Sequence, residues 1–263
     1  MRRMIPQPHH MKIAANPGGK DAIILVNGIL SSRDWQTAAC NWGNANTSLA
    51  WSFYYYSADA LLTGLWQSQH ADGLYGAVSA ARASGARRVH VVTHSNGAAV
   101  AALCLQRHKD CRIDTLIDLA AADYRSFKSG WWKNGLNDLI GFGQVWRVIL
   151  GVSINDGVLG SPLQWLTPWF WDKTLGKDGP TDVLAPVGVG QFENIPFINT
   201  PVVVGQSDAQ SHTSWVDGWL GGFNLPVFSI IAQVLTGVEP APQQPLGTPS
   251  IAPSATSITG GPA

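Results

Sequence analysis

The segment "RRVHVVTHSNGAAVAALCLQRH", residues 87–108, decides how this chain is read. Val89, Val91 and Val92 make a short apolar run of strand character, and Gly97, Ala98 and Ala99 open a helical pattern that carries on towards His108. Between the two stands Ser95, flanked by His94 and Asn96. A strand that becomes a helix within so few residues forces the backbone at the turn into a strained conformation. Small neighbours on the helix side then avoid clashes. Such a turn holds a serine hydroxyl clear of the sheet and points helix-terminal N–H groups at any negative charge beside it.

Working outward, the same alternation recurs. "DAIILVNGIL" (21–30) is a continuous apolar run closed by Asn27-Gly28, as expected of a strand covered on both faces. "LAWSFYYYSA" (49–58) is a second, aromatic strand candidate. In "QSQHADGLYGAVSAARASGA" (67–86), Leu74, Ala77, Val78 and Ala81 recur at helical spacing, and Gly85 supplies a stop. "RIDTLIDLAAAD" (112–123) reads as a strand with Leu116, Ile117 and Leu119 at its centre. Residues 127–150 look mixed and partly helical, "VWRVILGVSIND" (145–156) offers one more strand, and "TPVVVGQSD" (200–208) the last. Strands alternating with helices predict an α/β domain: a doubly wound, mostly parallel sheet with helices on both faces. In such sheets functional groups gather at the carboxyl ends of the strands, which is where Ser95 falls.

Composition bounds the rest. The chain has 263 residues, enough for one domain of this class with a sizeable core. Net charge is zero and 13% of residues are charged, so no nucleic-acid partner is expected. Arg87 with Arg88 reads as a solvated strand entry. The three cysteines (Cys40, Cys104 and Cys111) lack metal-ligand spacing and are expected as free thiols, with a Cys104–Cys111 link as the alternative and Cys104 as a small core residue. His9 and His10, adjacent in the N-terminal arm, could bind a metal, but are expected as plain residues of a mobile terminus. No signal-peptide pattern and no membrane-length apolar run is evident, so the expectation is a soluble cytoplasmic protein. The expected organisation is an N-terminal arm (1–19), the main domain (20–236) with a cap or insertion over about 127–180, and a Pro/Ser/Gly-rich disordered tail (237–263). Six of the twelve tryptophans lie between Trp131 and Trp171. Such rings suit either the walls of an apolar binding site or plain core filling. Trp215 and Trp219, four apart, read as a buried helix face.

The sequence Thr93-His94-Ser95-Asn96-Gly97, set between a strand and a helix, resembles the nucleophile elbow G-x-S-x-G of the α/β-hydrolases, with Thr93 in place of the first glycine. The resemblance spans roughly residues 20–220 and implies a serine esterase or lipase-like enzyme. A serine hydroxyl is a poor nucleophile near neutral pH. An imidazole must take its proton, and a carboxylate must orient that imidazole. The family supplies these in the order serine, acid, histidine. After Ser95 only His108 and His212 remain. His108 closes the elbow helix and suits its negative end, whereas His212 follows the final strand, where the resemblance puts the catalytic base.

Three positions compete for the acid. Asp156 ends an apolar run in S-I-N-D-G-V and is favoured as a carboxylate at a strand end, 56 residues before His212. Asp182 and Asp123 are the alternatives, and Asp208 reads as a loop-bracing group. By the same resemblance, the N–H groups of Asn96 and Ile29, with Leu30 as a neighbour of Ile29, would face a developing oxyanion. Each such donor contributes roughly 3 kcal/mol when preorganised. The expected function is cleavage of a small-molecule or lipid-like carboxylic ester through an acyl-enzyme, without cofactor or metal. An acyltransferase, thioesterase or amidase on the same fold, or a non-catalytic binding protein of this fold, are the alternatives.

Overall fold

The computed structural model describes residues 11–12, 18–29, 32–56, 63–122, 144–151, 156, 213–216 and 222–237. Strands are β1 (Met11–Lys12), β2 (Ala22–Val26), β3 (Ala50–Tyr54), β4 (Val89–His94), β5 (Ile113–Leu119) and β6 (Val145–Gly151). Helices are α1 (Asp34–Asn46), α2 (Thr63–Ala83), α3 (Gly97–Arg107) and α4 (Leu225–Thr236), and a 3₁₀ turn covers Thr213–Trp215. The strands lie in the order β1-β3-β2-β4-β5-β6. β2 to β6 are mutually parallel, and β1 runs antiparallel against β3. The α/β architecture expected from the alternation is therefore present. The expected last strand and the tail beyond Gly237 lie outside the described residues, as does the expected cap over about 127–180 apart from residues 144–151, which enter the main sheet as β6, and Asp156.

Burial explains why these segments became strands. Every residue of β2 and β4 is buried. Side chains from alternate positions feed two separate cores. On one face Ile24, Val26, Val89 and Val91 pack with Leu74, Val78 and Ala81 of α2 and with Val100 and Leu103 of α3. On the other, Ile23, Leu25 and Val92 pack with Trp35 and Ala39 of α1 and with Phe228 and Ile231 of α4. Trp35, Trp51, Trp215 and Phe228 are all fully buried, each contributing about 2–3 kcal/mol through removal of apolar surface from water. The Phe228 ring lies 5.9 Å from Trp35 and 6.2 Å from Trp51, which fixes α4 across α1 and β3.

Several local expectations can be placed. Gly85, at φ 87°, closes the turn after α2. Arg87 and Arg88 both bond the Asp21 carboxylate, so this basic pair braces the start of β4 as well as meeting solvent. Burial works to raise the Asp21 carboxyl, but the hydrogen bond from Arg87 and the charge of Arg88 overcome it and hold it below the usual carboxylate range. The three cysteines are buried thiols, with the Cys104 and Cys111 sulfurs in contact at 3.8 Å. The N-terminal arm contributes Met11–Lys12 as an edge strand. Trp215 is buried, but in a 3₁₀ turn, and Trp219 lies outside the described residues. On β6, Trp146 is 55% exposed, so at least one ring of the Trp-rich stretch fills no core.

Candidate active site

Sheet topology selects one location. From β2 the chain passes through α1 to β3 on one side; from β3 it passes through α2 to β4 on the other side of β2. α1 packs on one face and α2 on the opposite one, so the carboxyl ends of β2 and β4 form the topological switch point of the sheet, where open α/β sheets bind their ligands. The residues at those ends are Asn27-Gly28-Ile29 and Ser95-Asn96-Gly97.

Ser95 stands at φ 55°, a left-handed conformation that side chains rarely adopt outside functional turns. Its backbone is held there from three sides. The Ser95 N–H donates to the Leu119 carbonyl at 3.0 Å, and its own carbonyl accepts from Ala98 at 3.2 Å and from Ala122 at 3.1 Å. The second strained residue, Ala120 at φ 48°, lies just beyond β5 and turns the chain so that Ala122 reaches Ser95. Both non-glycine residues with positive φ among the described residues thus belong to one cluster at one end of the sheet. Ser95 is 7% exposed.

Two glycines make the close packing possible. A Cβ at Gly28 would sit 2.7 Å from the Ser95 Cβ, and one at Gly97 would sit 2.9 Å from the Asn27 carbonyl oxygen. Only glycine lets the turn after β2 lie directly against the turn after β4. Thr93 answers the departure from G-x-S-x-G. It is fully buried, and its hydroxyl donates to the Asp118 carboxylate on β5 at 2.5 Å. Its Cβ lies 3.3 Å from where a Gly97 Cβ would be, so the glycine on the far side of the serine accommodates the extra side chain.

Asn27 ties the site to β3. Its Nδ2 donates to the carbonyls of Gly28 (2.9 Å) and Tyr56 (3.0 Å), and its Oδ1 accepts the Tyr56 N–H at 3.1 Å. The Asn96 Nδ2 in turn donates to the Tyr56 hydroxyl at 3.2 Å. Burial pushes the Tyr56 phenol well above its ordinary value, so it stays neutral and can accept that bond. His70 stacks on Tyr56 with ring centroids 4.4 Å apart, and burial depresses its pKa to about 4. Among the described residues, neither the Asn96 N–H nor the Ile29 N–H is donated to another group. Undonated N–H groups on the turns around a buried serine are of the kind that can bind a developing negative charge.

Of the residues singled out in the sequence, Ser95 and Asn96 stand at the end of β4 with Gly28 against Ser95, and Ile29 follows Gly28, half-buried in its turn. Asp156 is completely buried, five positions past the end of β6. His212, Asp123, Asp182, Asp208 and Leu30 lie outside the described residues. The turn that begins at Thr213 is nevertheless anchored: the Trp215 ring lies 3.2 Å from where a Gly151 Cβ would be, at the carboxyl end of β6. His108 bonds Asp72 at 2.8 Å and stacks on Tyr75 at 4.0 Å, a surface arrangement on α3. Sequence reasoning did not single out Tyr56. Its partners lie 29 and 40 residues away, and nothing in "FYYYS" separates it from its neighbours. Among the described residues no cluster of His, Cys, Asp and Glu could hold a metal ion, and no helix is long and apolar enough to cross a membrane.

The sequence matches no protein-family model and no curated protein. Its fold is similar to that of phospholipase PlaB from Legionella pneumophila, at 15% identity over 51% of this chain and 40% of that one, with a TM-score of 0.35. It is also similar to Aspergillus fumigatus lipase B, at 14% identity over 53% of this chain and 38% of that one, with a TM-score of 0.33. A predicted CIB-like hydrolase from Thermoplasma acidophilum matches at 12% identity over 61% of this chain and 80% of that one, with a TM-score of 0.37. The chain thus covers about two fifths of the phospholipase and of the lipase.

Proposed function

We propose that the protein is a serine hydrolase of carboxylic esters in which Ser95 is the nucleophile. The observation that carries this reading is the left-handed backbone of Ser95 at the switch point of a parallel sheet, with two undonated N–H groups beside it. Ser95 Oγ attacks the acyl carbon and His212 takes its proton. The Asn96 and Ile29 N–H groups receive the oxyanion. The proton returns to the leaving alcohol, and water then releases the acyl group by the same steps. His212 is supported by its neighbour Thr213, since the turn beginning there is pinned at the carboxyl end of β6, on the same edge of the sheet as Ser95. Asp156, buried beyond that same strand, is the carboxylate proposed to orient His212. Asp182 and Asp123 are its rivals.

Fluorophosphonate labelling and p-nitrophenyl ester hydrolysis test the reading together. The wild type is expected to label at one site. Ser95→Ala should abolish labelling, and His212→Ala should lower kcat by about a thousandfold or more. Among Asp156→Asn, Asp182→Asn and Asp123→Asn, only the first should cause a comparable loss. A folded wild type that neither labels at Ser95 nor cleaves esters would sink the proposal.

A further inference from the structure

We propose that Asn27 and Tyr56 are positioning residues that hold both oxyanion donors as one unit; this rests on the reading of Ser95 as nucleophile. The Asn27 amide is fixed in one orientation, because its NH₂ faces two carbonyls and its oxygen faces one N–H. Turned over, it would set oxygen against oxygen. The bond from Nδ2 to the Gly28 carbonyl fixes the plane of the Gly28–Ile29 peptide. No cis peptide is present among the described residues, so the Ile29 N–H leaves the turn on the side opposite that carbonyl. The orientation of the Ile29 donor is thus set by a side chain two residues earlier.

The second donor is tied to the same anchor. Asn96 carries its N–H at the entrance to α3, and its side chain bonds the Tyr56 hydroxyl. The backbone of Tyr56 is gripped on both sides by Asn27. The chain Ile29–Gly28–Asn27–Tyr56–Asn96 therefore links the two N–H groups through buried hydrogen bonds from three strands' ends. Tyr56 and Asn27 are both fully buried, so water does not compete for these bonds. A preorganised pair of donors needs no rearrangement when charge develops, and that is where its catalytic value lies.

The test uses the full chain and three substitutions. Tyr56→Phe removes only the hydroxyl that accepts from Asn96. Asn96→Ala removes the other end of that bond but keeps the N–H. Asn27→Asp replaces the amide donor by oxygen. Each is expected to lower kcat about tenfold or more on p-nitrophenyl butyrate with KM changed less than twofold. The double variant of Tyr56 and Asn96 should lose no more than either single one.

A trifluoromethyl ketone gives the readout that a merely structural role would not move. Ser95 Oγ bonds its carbonyl carbon, the C=O π pair becomes an alkoxide, and the serine proton passes to the base. Its inhibition constant should rise in proportion to the fall in kcat/KM, while the melting temperature shifts by only a few degrees. If Asn27→Asp fails to fold, Tyr56→Phe carries the test. An active wild type whose folded variants keep kcat within twofold overturns this proposal alone. A wild type inert to fluorophosphonate and esters overturns the reading beneath it as well.

Discussion

At the scale of single residues, the strained backbone of Ser95 makes a prediction independent of catalysis. A left-handed φ costs a residue with a Cβ roughly 1 kcal/mol or more, and glycine much less. Ser95→Gly and Ser95→Ala both remove the hydroxyl, but only the glycine relieves the φ of 55°. Urea unfolding is expected to find the glycine variant more stable than the alanine variant by about 1 kcal/mol, even though glycine gains more entropy on unfolding. Equal stability would mean that Ser95 is not held left-handed in solution. Ser95 was legible because its signal is local: strand, small polar turn and small-residue helix all sit within one segment. Thr93 was legible only as a departure from the motif. Its bond to Asp118 spans two strands, and the accommodation by Gly97 depends on a distance no sequence spacing displays.

Elements show the same division. Strands β2, β4 and β5 announce themselves as apolar runs because both faces of a parallel sheet are covered. α1 is not legible in the sequence: "DWQTAACNWGNAN" is weakly amphipathic, buries Trp35 but leaves Trp42 half-buried, and has no side-chain cap at Arg33. α4 is equally hard to recognise, since "LPVFSIIAQVLT" is so continuously apolar that periodicity cannot separate buried helix from strand. What makes it a helix is at its ends. The Asn224 side chain accepts the Val227 N–H, Pro226 fits the first turn, and Gly237 closes the helix at φ 76°. Asn224→Ala should therefore cost about 1 kcal/mol in urea unfolding. The loss should be accompanied by a change in tryptophan fluorescence in the folded state, because α4 presses Phe228 onto Trp35 and Trp51. An unchanged midpoint would mean that packing alone determines this helix.

For the whole molecule, the buried histidines govern how stability follows pH. His70 and His90 are each held neutral, with pKa values depressed from 6.5 to about 4, burial being the cause for His70 and the leading cause for His90. Around His90, Asp114 and Asp21 favour the charged form while Arg88 and Arg82 oppose it, and burial outweighs them all. Neither ring nitrogen of His90 has a partner among the described residues. Between pH 6.5 and pH 4 the unfolded chain binds protons at these positions that the folded chain refuses, so acidification favours unfolding. Stability is then complete above about pH 6.5 and falls as pH drops towards 4. The depressed carboxyls of Asp21 and Asp72 add to the loss only lower, as they protonate.

From pH 7 to pH 5 the expected loss is about 2 kcal/mol per histidine. His90→Leu keeps a side chain of similar bulk on β4 and removes one of the two titrations. Urea titrations of wild type and variant at pH 7 and pH 5 should show the variant losing about half as much stability between the two. Ser95 lies at the opposite, carboxyl end of β4 from His90's neighbours Arg88 and Asp21, so ester hydrolysis at pH 7 should be little changed by this substitution. A variant that loses as much as the wild type would show that His90 is charged in the folded protein or accessible to water.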